Sequence, residues 1–243
     1  KNGYKKPNEY ILVMAHWDHL GIKKAQPGDN IYNGAVDNAS GTAGLLELAN
    51  FFSKVESERS LLFLAVTAEE SGLLGSEYFA EYPPVKLKNI VAGYNFDGVL
   101  PVGRTKDVIV VGHGASELED ILKAELDKVG KYIVPDPQPE KGFFYRSDHI
   151  SFAKRGVPVL YADGGFDKVE GGIEVGKSFA EEYTAEHYHQ PSDEYDPNWD
   201  LSGFVDQLTI TSNMVKFLAD SDTWPEWYEG NEFKRIREES RNE

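Results

Sequence analysis

The chain has 243 residues, 40% hydrophobic and 12% aromatic, enough for one large globular domain with a sizeable core. Its 41 acidic against 25 basic residues leave a formal charge of −16, which repels phosphate backbones and anionic lipid and excludes nucleic acid and membrane surfaces as expected partners. The absence of cysteine rules out disulfides, thiolate metal sites and cysteine nucleophiles, and no apolar run approaches the ~20 residues of a membrane span.

Residues 1–10 are polar and begin without methionine, which reads as the interior of a longer chain whose targeting segment has been removed. Residues 11–15 form a short continuous apolar run, the pattern of a strand buried on both faces. Residues 61–66, 89–94, 108–111 and 157–161 complete a set of five strand candidates. Between them, residues 44–54 repeat apolar side chains at helical spacing, and residues 116–128 do so through Leu118, Ile121, Leu122 and Leu126. Residues 164–179 read as a pocket-shaping loop, and residues 201–218 as the last long helix. From residue 221 the aromatic Trp224, Trp227 and Tyr228 are expected to pack on the body, with residues 232–243 as a charged surface helix. Buried strands alternating with amphipathic helices predict an α/β sandwich around a mixed, mostly parallel sheet, in one domain spanning 1–243.

In such sheets ligands collect outside the carboxyl ends of the strands. His16, the Glu69–Glu70 pair and Asp97 follow the first three strand candidates, where that rule puts a site. An imidazole at a strand end makes a zinc ligand if its second nitrogen finds an acceptor, and Asp18 is near enough to supply one. Asp37 lies in the small-residue run Asn33-Gly34-Ala35-Val36-Asp37-Asn38-Ala39-Ser40-Gly41, which opens a helix. Of the two adjacent glutamates, one can bind metal while the other stays free as a general base. His189 sits in the polar segment His187-Tyr188-His189-Gln190-Pro191-Ser192-Asp193. Two histidines and three carboxylates, with Glu69 spare, suit cations that take nitrogen and oxygen ligands, zinc first.

The order and identity of these motifs resemble the co-catalytic di-zinc aminopeptidases, a family that includes bacterial leucyl aminopeptidase and aminopeptidase Y. Glutamate carboxypeptidase II, glutaminyl cyclase and transferrin receptor are more distant relatives. The resemblance runs from Tyr10 to Leu218 and rests on His16-Trp17-Asp18, Gly34 to Gly41, Glu69-Glu70-Ser71-Gly72-Leu73-Leu74-Gly75-Ser76, Asn95-Phe96-Asp97, Ser147-Asp148-His149 and Tyr188 to Asp193. It implies a three-layer zinc-exopeptidase fold of the phosphorylase/hydrolase type. It further implies two zinc ions per chain bridged by Asp37, one completed by Glu70 and His189 and the other by His16 and Asp97. Glu69 would be the general base acting on a metal-bridging water, Asp18 would orient His16, and Tyr188 would steady the oxyanion. Ser147, Asp148 and His149 would line the site.

The same resemblance implies a peptide substrate, with an apolar or broad preference for its first residue. It also implies a secreted or periplasmic location, and a first sheet strand missing ahead of Lys1. Carboxypeptidase or dipeptidase activity on the same scaffold is the alternative. Glutaminyl cyclisation is disfavoured by the intact second-metal pair, His16 and Asp97. A non-catalytic receptor-like domain is disfavoured because every ligand and the base are present.

Overall fold

In the computed structural model, which describes residues 1–23 and 28–242, the first apolar run becomes strand β1 (Lys6–His16), buried at every position from Ile11 onward. A small hairpin of β2 (Gly21–Ile22) and β3 (Ile31–Tyr32) follows, then α1 (Gly41–Ser53), β4 (Arg59–Val66), α2 (Leu74–Glu81) and β5 (Ile90–Phe96). The second half contains β6 (Asp107–Val110), α3 (Leu118–Asp127), β7 (Tyr132–Pro135), α4 (His149–Ala153) and β8 (Val159–Gly164). Helices α5 (Gly172–Glu186), α6 (Ser202–Asp220) and α7 (Lys234–Asn242) close the chain.

The main sheet has the order β4-β1-β5-β8-β6-β7. Four strands, β4, β1, β5 and β8, run parallel, while β6 is antiparallel to β8 and parallel to β7. Alternation along β1 divides the core in two. Ile11, Val13 and Ala15 pack with Leu45, Leu48 and Phe52 of α1 and Met214 and Leu218 of α6. Leu12 and Met14 instead join Phe152 of α4, with Phe79 of α2 packed against them. Helices therefore cover both faces, which is the expected α/β sandwich.

Register decides where the site forms. His16 pairs with Val66 and Ala15 with Phe96, so β1, β4 and β5 end level with one another. His16, Glu69, Glu70 and Asp97 thus leave one edge of the sheet within four residues of these ends. The turn after β4 is tight, with Ala68 and Leu73 both at positive φ. A Cβ on Gly75 would stand 2.2 Å from the Thr67 carbonyl oxygen, so only glycine lets the first turn of α2 close over the end of β4.

Several elements depart from the sequence reading. The segment 164–179 is not a loop throughout, because α5 begins at Gly172. Only Gly176 of α5 is buried, so it carries no apolar stripe for periodicity to register. The short α2 and α4 span too few turns to show a helical period, and β7 is only partly buried. Residues 1–3 lie along the outer side of β4, where Lys1 and Leu61 exchange main-chain hydrogen bonds.

The C-terminal segment packs on the body, as its aromatics suggested, but α7 is more than a surface helix. Arg237 is 1% exposed and its Nη2 donates to the carbonyls of Ile90 (2.8 Å) and Val91 (3.1 Å) at the start of β5. Trp227, 2% exposed, packs with Phe233 and donates from Nε1 to the Gly156 carbonyl. Replacing Trp227 with alanine is expected to cost ~3–5 kcal/mol through the cavity it leaves, read as a shift of the urea midpoint. A shift below ~1 kcal/mol would show that the segment contributes little to the fold.

Candidate metal centre

The centre is built from the ends of β1, β4 and β5, the segment before α1, and the segment after α5. His16, 1% exposed, directs Nδ1 at the main-chain carbonyl of Asp18, 3.1 Å away. A carbonyl only accepts, so Nδ1 carries a proton, and Nε2 is the nitrogen left for a metal. Nε2 faces Asp37 Oδ1 at 3.3 Å and Asp97 Oδ1 at 3.2 Å. On the other side His189 Nε2 lies 3.2 Å from Asp37 Oδ2 and 3.3 Å from Glu70 Oε2. Each oxygen of Asp37 therefore serves a different histidine.

These separations discriminate between an ion site and a network of ion pairs. Charge-assisted N–H···O contacts run at ~2.7–2.9 Å. Ligand atoms of a tetrahedral zinc with bonds of ~2.0–2.1 Å sit ~3.3 Å apart. All four separations match the second figure, and one proton on His16 cannot serve two carboxylates at once. Among the described residues, no Lys or Arg lies within 4 Å of the carboxylates of Asp37, Glu69, Glu70, Asp97 or Asp148. So dense a cluster of buried acid calls for compensating positive charge, and the donor set fits zinc.

The titration behaviour has the same origin. Burial alone would lower His16, yet its contacts with Asp37 and Asp97 outweigh this and push it up to about 12. His189 is also raised, chiefly by Asp37. Burial works to raise Asp37, but the two histidines hold it below the usual carboxylate range. Glu69 is pushed up to about 9, mainly by burial and then by the neighbouring Asp97.

Surrounding groups hold the ligands in place. Asn38 donates to the Phe96 carbonyl and accepts from Gly41 and Gly98, tying the Asp37 segment to the end of β5. Buried Asp193 accepts from the main-chain N–H groups of Val36 and Asp37. Ser147 Oγ donates to Asp97 Oδ2 and accepts from Asn95. The carboxylate of Asp18 stands 3.8 Å from His16 and instead accepts the Glu69 N–H at 3.3 Å. His189 adopts a left-handed backbone (φ 58°), sparsely populated by non-glycine residues, and Tyr188 stacks on its ring at 3.9 Å.

A cavity of about 590 Å³ opens onto Asp37, Glu69, Asp97 and His189. Its wall includes the apolar Leu100, Ile109, Val111 and Phe166, along with Tyr161 and Asp163 of β8. Asp163 carries a buried, unpartnered Oδ1, and burial raises its carboxyl well above the usual range. Asp148 is buried beside the centre and pushed up to about 7, chiefly by burial.

His149 is fully buried between the rings of Phe144 and Tyr161, and burial pushes it down to about 3. The unfolded chain therefore binds its proton first as pH falls. In the metal-free protein this residue should cost stability at up to ~1.4 kcal/mol per pH unit below ~6.5. Denaturant titrations of wild type and His149→Gln between pH 7 and 4 check this. Parallel pH slopes would dismiss His149 as the source.

One residue escaped the sequence reading. His19 has its Nδ1 2.7 Å from Glu70 Oε1. It stands in the quoted His16-Trp17-Asp18-His19 run, but spacing alone could not show that it turns back toward Glu70.

The sequence profile of peptidase family M28 matches residues 2–211. The chain is similar to aminopeptidase YwaD of Bacillus subtilis (strain 168), 27% identical over 210 residues, covering 79% of this chain and 42% of that protein. It is also similar to leucine aminopeptidase 2 of Trichophyton equinum, 29% identical over 162 residues, covering 63% of this chain and 30% of that protein. Among solved structures, the aminopeptidase of Aneurinibacillus sp. strain AM-1 shares the fold with a TM-score of 0.65 at 24% identity, over 92% of this chain and 48% of that one. The chain thus spans less than half the length of these proteins. Since the matched span takes in every residue of the centre from His16 to His189, the chain belongs to peptidase family M28.

Proposed function

We propose that this chain is a single peptidase domain, residues 1–243, that uses two zinc ions to remove N-terminal amino acids from peptides. The observation that carries the reading is the set of four N···O separations at 3.2–3.3 Å, shared between His16, Asp37 and Asp97 on one side and Asp37, Glu70 and His189 on the other. These residues would hold the ions, with Asp37 common to both. Bound zinc supplies Lewis acidity, polarising the scissile carbonyl and lowering the pKa of the attacking water.

The chain's own residues supply the rest. Glu69 belongs to neither ligand group and borders the cavity. It takes the proton of the attacking water and hands it to the leaving amine. Asp18 fixes Glu69 through its main-chain N–H and His16 through its own carbonyl. Burial and then Asp37 raise the Tyr188 phenol above its ordinary range, so it keeps its proton at neutral pH and can donate to the oxyanion. The apolar wall receives the side chain of the residue being released.

The reading includes an exported location, secreted or periplasmic, on the resemblance to bacterial enzymes of this type. Among the described residues no helix is long and apolar enough to cross a membrane. The test is a panel of aminoacyl-p-nitroanilides incubated with zinc-loaded protein whose metal content has been measured. Turnover with two zinc ions per chain is the expected result. Two bound zinc ions without turnover would move the substrate to carboxypeptidase or dipeptidase peptides, and a folded protein that binds no zinc would overturn the reading.

A further inference from the structure

His19 belongs to neither of the two ligand sets just described, yet it is built into the centre. Its side chain is 6% exposed, and it reaches Glu70 Oε1 at 2.7 Å. Neither ring nitrogen has a hydrogen-bond partner of acceptable geometry, and neither has Glu70 Oε1. No other donor competes for that oxygen. The ring also meets His189 edge-on, with centroids 5.7 Å apart and planes at 68°. Its slot depends on Gly34, where a Cβ would lie 2.6 Å from His19 Cγ on a backbone at φ +63°.

The distances separate two roles for this ring. Ligand atoms of one zinc stand ~3.3 Å apart, the spacing found at all four contacts of His16 and His189. The His19 contact is shorter by half an ångström or more and has the length of a charge-assisted hydrogen bond. At that distance a nitrogen lone pair and a carboxylate oxygen repel, and a proton on Nδ1, once the ring turns it toward Oε1, relieves that repulsion and satisfies both buried atoms. The two oxygens of Glu70 are thereby assigned different tasks. Oε2 stands at ligand spacing from His189, and Oε1 faces His19.

We infer that His19 is a positioning residue for the metal centre: its Nδ1–H holds Glu70 Oε1, so that Glu70 offers a single oxygen, Oε2, to the ion shared with Asp37 and His189. The inference rests on the two-zinc reading above. It assigns His19 to the support of a ligand rather than to the ligand set, although its ring lies close enough to Asp37 and Glu70 to make up a metal-binding trio with them. Groups that orient a metal ligand in this way typically contribute 10–100-fold in metal affinity.

The test compares zinc affinities by competition with a chromophoric chelator for wild type, His19→Ala and His19→Asn, with circular dichroism of the metal-free proteins as the check on folding. The asparagine amide nitrogen takes the place of Nδ1 as a donor. In His19→Ala, one zinc is expected to weaken ~10–100-fold while the other keeps its wild-type affinity, and His19→Asn is expected to recover most of the loss. Unchanged affinity in folded His19→Ala would overturn the inference and leave the two-zinc reading standing. Equal weakening in both variants, with an altered Co²⁺ visible spectrum, would make His19 a ligand and overturn the positioning role. If His19→Ala does not fold, His19→Asn decides alone: affinity near wild type supports the hydrogen bond, and a loss of 10-fold or more overturns it. A wild type that binds no zinc would remove the reading on which the inference rests.

Discussion

Glu69→Gln is expected to lower kcat for aminoacyl-p-nitroanilides by ~10²–10⁴ while zinc content and KM change little. Glutamine keeps the size of the side chain and the main-chain contact with Asp18, and neither ligand group includes Glu69. What it removes is a carboxylate outside both ligand groups that borders the cavity and can carry a proton between water and leaving amine. In the metal-free protein, burial and the neighbouring Asp97 push this carboxyl up to about 9, so it holds its proton at neutral pH. Two dications bound beside it, as proposed, would invert that balance and return it to the carboxylate a base requires. Steady-state kinetics with measured zinc content decide the matter. A variant within a few-fold of wild type would mean that another group moves the proton, and one that lost its zinc would make Glu69 a ligand.

Asp37→Ala should have the largest effect on metal content. Both of its oxygens are engaged, Oδ1 toward His16 and Oδ2 toward His189, so one substitution would take a ligand from each of the two proposed ions. Each site then keeps two protein ligands, fewer than the three of a catalytic zinc. Zinc content after gel filtration is expected to fall from two ions per chain to below one, with activity below detection. Two retained ions would show that Asp37 does not bridge. Zinc must also displace the proton that Asp37 and Asp97 hold on the His16–carboxylate cluster, so wild-type affinity should rise with pH.

Much of this was legible in the residues themselves. Continuous apolar runs marked β1, β4, β5, β6 and β8, because a strand covered on both faces has no solvent side to interrupt it. The polar residues just past three of those runs marked the edge where the site forms. The elements that escaped are those whose burial leaves no period in the chain: α5 buries a single glycine, and β7 is a short, half-exposed edge strand. That β6 and β7 run against the other four strands was likewise invisible, since strand direction is a property of connections and not of composition.

At the site the division is similar. The residue types and their order along the chain pointed to nitrogen and oxygen donors and to zinc, because coordination chemistry depends on what the side chains are. Which atom faces which partner depends on backbone register, turn geometry and packing among segments more than a hundred residues apart. Asp18 was expected to hold His16, and only the fold showed that its carbonyl does so while its carboxylate takes the Glu69 N–H. His19 stood in the first motif with no role until the slot at Gly34 turned its ring onto Glu70. The side chains themselves set the chemistry available to this protein. Tertiary structure alone decided the pairing of its atoms, because distances of 2.7 and 3.3 Å arise only when separate segments are packed against one sheet edge.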